Sequence, residues 1–157
     1  MSVTVRRATR KDAALIATLI ADVQELHAAA LPRYFKPAGK ISYAKDAAAA
    51  LANPERLVFI AHVGDDPVGF VHAEMVRQPE TSLLYAQQTL YIHAISVRPS
   101  YRRRGVGSAL MAALRAAGQS LRIERLGLNV WTFNDAARQF FRRQGFMLCC
   151  EWLCDRE

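Results

Sequence analysis

Apolar and polar residues alternate at the start of the chain, in Val3-Thr4-Val5-Arg6-Arg7, and this period of two predicts a first strand. The period then lengthens. Leu15, Ile16, Leu19, Ile20, Val23 and Leu26 recur at helical spacing as one apolar stripe, over a helix predicted from about Asp12 to Ala29. Thr9 followed by Asp12 resembles a capping box at its start. Residues 31–40, Leu-Pro-Arg-Tyr-Phe-Lys-Pro-Ala-Gly-Lys, break the pattern with two prolines and a glycine. Ser42 is placed to cap a second, alanine-rich helix that stops near Asn53-Pro54.

From Arg56 to Val76, two strand-like runs flank Gly64-Asp65-Asp66-Pro67, which predicts an antiparallel hairpin. A polar gap from about Arg77 to Gln88 leads to a further strand, Thr89–Val97. A loop rich in arginine and glycine follows, then a helix from about Gly105 to Ala117 ending near Gly118. Arg125–Trp131 reads as a strand, Asn134 as the cap of a helix running to Gln144, and Gly145 as its left-handed stop. Phe146–Leu153 is predicted as the closing strand. The order is β-α-α-β-β-β-α-β-α-β. With a strand–helix–strand crossover after Val97, it specifies an α/β class with a mixed sheet and helices on both faces. No repeat or low-complexity linker divides the chain, so residues 1–157 are read as one domain.

The hydrophobic fraction of 52% with 22% charged residues places the chain among soluble globular proteins, not disordered ones. No apolar run approaches the roughly 18 residues needed to cross a bilayer. Arg6, Arg7, Arg10 and Lys11 stand where a signal peptide would need its apolar stretch, so a cytoplasmic protein without a membrane partner is expected. Lysine and arginine number 21 against 14 acids, a net charge of +7 that favours an anionic partner. No helix-turn-helix or RNA-binding motif accompanies that charge, so nucleic acid is not the expected partner. Cys149, Cys150 and Cys154 are too few and too close for a disulfide framework or a four-ligand zinc site, and read as reduced structural thiols. Nothing in the sequence calls for a metal, and a homodimer is compatible with it.

Candidate chemistry concentrates in Arg102-Arg103-Arg104-Gly105-Val106-Gly107-Ser108. A strand, a glycine loop and a helix start bring several backbone N–H groups to one point, where the first four donors of the helix are unpaired and its dipole is positive. Three guanidinium groups add charge around the same spot, which makes it an anion site. No lysine follows either glycine as a nucleotide phosphate loop requires. The dinucleotide fingerprint fails too, because Leu110 stands where its third glycine belongs. A plain tight turn is the remaining alternative.

Arg102-x-x-Gly105-x-Gly107, after a strand ending in Ile95-Ser96-Val97-Arg98-Pro99, resembles the pyrophosphate loop of the GNAT superfamily of acyl-CoA-dependent N-acetyltransferases. Asn134, Ala137 and Gly145-Phe146 match that family's downstream pattern of Asn-x-x-Ala followed by Gly-Phe, and the element order agrees over nearly the whole chain. The resemblance implies a splayed central pair, here Thr89–Val97 and Arg125–Trp131, with the pantetheine arm of acetyl-CoA between them. It further implies that the Ile95-Ser96-Val97 backbone bonds that arm as an added strand would. The N–H groups from Arg103 to Ser108 would hold the diphosphate, with Asn134, Ala137 and Phe141 along the cofactor. Arg33, Tyr34, Phe35 and His72 would line the acceptor, a small-molecule or peptide amine. No metal or covalent intermediate is implied.

Transfer of acetyl to an amine requires a neutral amine, a stabilised oxyanion and a departing thiolate. For a lysine-like acceptor of pKa about 10.4, deprotonation at pH 7 costs about 4.6 kcal/mol, so a base matters. His93 is the first candidate, since a free histidine titrates near 6.5 and is mostly neutral at pH 7. A strand histidine with a satisfied hydrogen bond is the plainer account of the same residue. Glu74 and His72 are two apart and share a strand face, where Glu74 could act as base or bind a cationic acceptor; a solvated strand face explains them as well. The family usually carries a tyrosine where Phe141 stands, and its phenol is credited with protonating the thiolate. Here the hydroxyl is missing, and no tyrosine follows Tyr101. A thiol of pKa about 8.5 leaves tolerably without a proton. The expected activity is acetyl-CoA-dependent N-acetylation of a primary amine of a small molecule, protein or peptide, by direct attack in a ternary complex. The alternative is a non-catalytic acyl-CoA-binding regulatory module.

Overall fold

The computed structural model describes residues 2–40 and 43–155. Its strands are β1 (Val3–Arg7), β2 (Arg56–Val63), β3 (Asp66–Gln78), β4 (Gln87–Val97) and β5 (Leu126–Leu128). The helices are α1 (Ala13–Leu19), α2 (Ala21–Ala30), α3 (Tyr43–Ala52), α4 (Val106–Ser120) and α5 (Asp135–Arg143). The strands lie in one sheet in chain order, antiparallel from β1 to β4, with β5 parallel to β4 across the α4 crossover. The expected mixed α/β fold is present.

The sheet is sandwiched because its strands are apolar on both faces. Leu57, Phe59 and Ala61 of β2 turn to one core with Leu110, Met111 and Leu114 of α4 and Phe141 of α5. Val58 and Ile60 turn to the other, with Ile16, Leu19 and Ile20 at the N-terminal helices and Ala47 of α3. Each fully buried aliphatic side chain contributes roughly 1.5–3 kcal/mol, so these two layers hold the sheet flat against its helices.

At the start of the first helical stretch, Asp12 accepts the Thr9 backbone N–H at 2.7 Å and a bidentate pair from Arg6 at 2.7 and 2.9 Å. The guanidinium holds its carboxyl well below the usual carboxylate range. The helix expected from Asp12 to Ala29 is two helices, interrupted at Ile20. Its stripe leaves the sheet there, so Ile16 and Leu19 are buried while Leu26 is 43% exposed. By length and average hydropathy alone, Arg10–Ala30 could cross a membrane, with mean hydropathy 1.3; its most apolar residues instead fill the core. Ser42, the expected cap of α3, lies outside the described residues.

The hairpin turn is shorter than expected. Val63 already pairs with Asp66 across Gly64 (φ +59°) and Asp65. Pro67 is inside β3 at a bulge, the place in a ladder where a residue without an N–H does least harm. The largest correction concerns the end of the chain. Phe146–Leu153 does not form the closing strand, and residues 147–155 are exposed. The three cysteines are free and exposed, not packed structural thiols.

Candidate active site

β4 and β5 pair only at Leu90–Leu126, Tyr91–Gly127 and Ile92–Leu128. From Ala94 to Val97, β4 is paired to β3 on one side and, among the described residues, to no strand on the other. The two central strands therefore part after three residues, and the Ile95-Ser96-Val97 backbone presents one open edge. β5 is shorter than the expected Arg125–Trp131 because its chain has left β4 by Asn129.

That edge runs directly into the arginine–glycine loop. Pro99–Tyr101 makes one turn of 3₁₀ helix, and Arg103 (φ +60°) and Gly105 (φ +83°) are both left-handed. Alternation of this kind turns successive N–H groups toward one concavity suited to an anion. The first intrahelical bond of α4 runs from Ala109 to Gly105 at 2.9 Å, so the Val106, Gly107 and Ser108 N–H groups lie ahead of it. The ion pairs among the described residues involve none of Arg102, Arg103 and Arg104. Arg102 does have a structural role, since its Nε donates to Val97 O at 2.9 Å and ties the loop to the strand end.

The two glycines are small for different reasons. Gly105 needs its positive φ, and a Cβ there would meet nothing within 4 Å. A Cβ on Gly107 would stand 3.0 and 3.1 Å from the Phe140 ring, so α5 packs where that side chain would be. Both glycines were expected to serve phosphate approach; what the structure shows at Gly107 is helix packing. Gln144 Nε2 donates to Ser108 Oγ at 3.0 Å, a second tie between the end of α5 and the start of α4. Asn134 caps α5, its Oδ1 accepting the Ala137 N–H at 3.1 Å. Ala137 is packed at the core edge. Phe141 is buried between Phe140 and Phe146, with ring centroids 5.2 and 5.4 Å away.

At the point where the strands part, a second bulge interrupts β4. Ala94 pairs with His72 and Ile92 with Ala73, leaving His93 as the extra residue. Leu90 and Ile92 face the α4 core before it, and Ile95 and Val97 face the same core after it. A bulge re-aims the side chain it carries. His93 reaches diagonally across the ladder, its Nε2 2.8 Å from Glu74 Oε2. The carboxylate's pKa is lowered, chiefly by that hydrogen bond. Arg56, opposite Glu74 on β2, brings its Nε to 3.4 Å from the same oxygen. His72 lies behind, its ring centroid 5.1 Å from that of His93. It is buried, its Nε2 has no hydrogen-bond partner among the described residues, and burial holds its pKa down to about 4. His72 is therefore neutral at pH 7.

The segment after α2 forms a wall. It is held to α2 by Gln24 Nε2 donating to Lys36 O and by the Ala38 N–H donating to Glu25 Oε1, each at 2.6 Å. Tyr34 and Phe35 then pack edge-on against Trp131, with centroids 5.0 and 5.3 Å away. His27 and Phe133 extend the cluster. Trp131 and Phe133 belong to the stretch that follows β5 and is no longer paired to β4. Arg33 is exposed on the same loop and enters no ion pair among the described residues. Arg56, Trp131, Phe133 and His27 were absent from the residues expected from sequence. Arg56 could have been found only with the bulge in the hairpin, whereas the aromatics are visible as residues but not as neighbours.

An open strand edge leads into a left-handed loop and a helix start, and comparison with known proteins gives the chain a family. Residues 20–146 match the model of the Acetyltransferase (GNAT) family. The chain belongs to that family. Over 83 residues it is 34% identical to the uncharacterized N-acetyltransferase YycN of Bacillus subtilis strain 168, a match covering 52% of this chain and 48% of the relative. Its fold is similar to that of a tetramutant of the BH1408 protein from Bacillus halodurans, at TM-score 0.89 and 22% identity, over 98% of this chain and 99% of that one. It is also similar to aminoglycoside N-acetyltransferase AAC(6')-Iy in complex with CoA, at TM-score 0.78 and 18% identity, over 99% and 95% of the two chains. At these identities the structural likenesses speak to the fold.

Proposed function

We propose that this GNAT protein transfers an acetyl group from acetyl-CoA to a primary amine of a small molecule or peptide, by direct attack in a ternary complex. The observation that carries the reading is the run of open β4 edge into the left-handed loop and the start of α4. An extended arm bonded along Ile95-Ser96-Val97 would deliver its diphosphate to the N–H groups of Arg103 to Ser108, with Arg103 and Arg104 adding charge. The CoA complex of the structurally similar aminoglycoside acetyltransferase supports the choice of carrier and a small-molecule acceptor.

The reacting end of the arm would then lie near the bulge. An ionised Glu74 has no hydrogen to give, so the hydrogen between it and His93 resides on His93 Nε2. That fixes the tautomer and leaves Nδ1 with a lone pair. Nδ1 takes the proton from the acceptor's ammonium, and the Glu74 carboxylate stabilises the imidazolium that results. Arg56, its Nε 3.4 Å from the same oxygen, adds a positive charge that favours the ionised carboxylate. The neutral amine attacks the thioester carbonyl, the C–N bond forms, the attacking nitrogen gives up its remaining extra proton to solvent, the C–S bond breaks, and the thiolate leaves as an anion. The buried Phe141 ring has no proton to offer it. The aromatic wall of Tyr34, Phe35 and Trp131 favours acceptors with an apolar or aromatic framework next to the amine.

The test is calorimetric titration with CoA and acetyl-CoA, followed by acetyl transfer across a panel of primary amines. The thiol-release readout needs a no-amine control, because Cys149, Cys150 and Cys154 are exposed and react with the same reagents. Micromolar CoA binding with amine-dependent release supports the proposal. Binding without release under any amine would move the assignment to an acyl-CoA-binding regulatory module, the reading that Phe141 favours.

A further inference from the structure

The hydrogen bond between His93 and Glu74 does not by itself hold an imidazole still. The His93 side chain is 38% exposed and that of Glu74 23%, and a polar contact open to water contributes little against the freedom of the two side chains it fixes. His93 is also the extra residue of a bulge, where the ladder is locally broken. The ring needs further support, and the structure supplies it twice.

Both supports are rings. Tyr91 precedes His93 by two residues on β4 and lies opposite Glu74 in the ladder. Leu90 and Ile92 face the α4 core, as Ala73 and Met75 do on β3, so Tyr91 and Glu74 share the other face of the sheet. The Tyr91 ring stands edge-on to His93, with centroids 5.1 Å apart and planes at 68°. His72, opposite Ala94 just past the bulge, brings a second ring to 5.1 Å at 38°. His72 is buried, so its place is set by the core. Tyr91 is half-buried, and its hydroxyl enters no hydrogen bond among the described residues. What Tyr91 offers its neighbours here is the ring.

We propose that Tyr91 is a positioning residue: its ring, with that of His72, holds the His93 imidazole so that Nε2 stays on Glu74 and Nδ1 is left for the acceptor amine. The inference rests on the proposed role of His93 as base and adds the residue that aims it. An aromatic pair has a preferred angle, set by the quadrupoles of its rings, which an aliphatic neighbour of similar bulk does not impose. Tyr91 acts on the reaction through His93 alone. Its loss therefore lowers the rate of transfer without changing what the site binds.

Steady-state kinetics and imidazole nitrogen NMR test it. Tyr91→Val, a residue suited to a strand, is expected to lower kcat about 10- to 100-fold, while KM for the amine and CoA affinity stay within about twofold. Tyr91→Phe keeps the ring and is expected to hold kcat within about threefold of the wild type. In a His93→Gln chain, Tyr91→Val should cost less than about twofold more, because a residue that acts through another then has nothing to act on. At about pH 8.5, above the range in which histidine titrates, the wild type should show a single His93 tautomer with its hydrogen on Nε2. Tyr91→Val should show the two tautomers averaged. Loss of the signal in His93→Gln identifies it among the four histidines.

Equal losses in Tyr91→Phe and Tyr91→Val would assign the effect to the hydroxyl and overturn the inference. So would additive losses in the double variant, or a tautomer that Tyr91→Val leaves unchanged. The base and its support fail separately. If His93→Gln keeps full activity, the proposed base is wrong and the role of Tyr91 goes with it. If His93→Gln loses activity and Tyr91→Val does not, only the role of Tyr91 is wrong. Should Tyr91→Val not fold, Tyr91→Leu takes its place, and a wild-type His93 already averaged between tautomers overturns the inference without any variant.

Discussion

The imidazole of His93 and the carboxylate of Glu74 lie 2.8 Å apart across a strand boundary. If that contact organises a general base, His93→Gln lowers kcat/KM for the amine by about 10²- to 10⁴-fold and leaves CoA affinity within about twofold. Glu74→Gln keeps an acceptor for Nε2–H but loses the charge, so its effect is smaller, about tenfold. Equal loss of CoA affinity in either variant would mean that the pair shapes the slot instead. His72 makes a different prediction, for stability. Its pKa is held to about 4 in the folded chain against 6.5 when unfolded. Between those values the unfolded state binds a proton that the folded state refuses, so stability falls as pH drops from 6.5 to 4, by about 3 kcal/mol in full. His72→Phe keeps a ring of similar size and removes both the titration and the unpartnered Nε2. Chemical denaturation at pH 7 and 4.5 should show the wild type losing stability and the variant holding most of its own; parallel losses would reject the assignment.

At the scale of elements, Gly107 and Phe140 lock α4 to α5. Gly107→Ala puts a methyl group about 3 Å from the ring and is expected to destabilise by about 1–3 kcal/mol, with Phe140→Leu in the same chain recovering part of the loss. No recovery in a thermal-melt comparison would place the strain elsewhere. These contacts show where sequence reasoning stops. The hairpin was legible from Gly64-Asp65, and the loop ahead of α4 from its glycines and the helix behind them, because both signals are local. The Arg56–Glu74 pair was not. Counting back from Val63–Asp66 without a bulge sets Arg56 opposite Ala73, and the extra residue in β3 moves it to Glu74. The bulge at His93 did leave a trace. Apolar positions run Leu90, Ile92 and then Ile95, Val97, a change of parity inside one strand. The break at Ile20 left none, because helical spacing continues through it.

For the molecule as a whole, class and layer arrangement followed from the order of periodic segments. The expectation that failed was the closing strand, and it failed for a physical reason: a strand is defined by its partner, and Phe146–Leu153 has none among the described residues. The parting of β4 from β5 has a consequence for what the protein accepts as donor. His93 and Val97 are four residues apart on one extended strand, about 13 Å at 3.3 Å per residue. The loop proposed to take the phosphates begins where the strand ends. On the proposed function, strand length is thus a ruler between the charged end of the donor and its reacting carbon. An acetyl thioester of a short thiol would be left with no handle at the far mark. Its kcat/KM should fall at least about 10³-fold below that of acetyl-CoA, since most of the binding energy that positions the thioester comes from its remote end. Comparable rates for the two donors would show that the measured distance is not used.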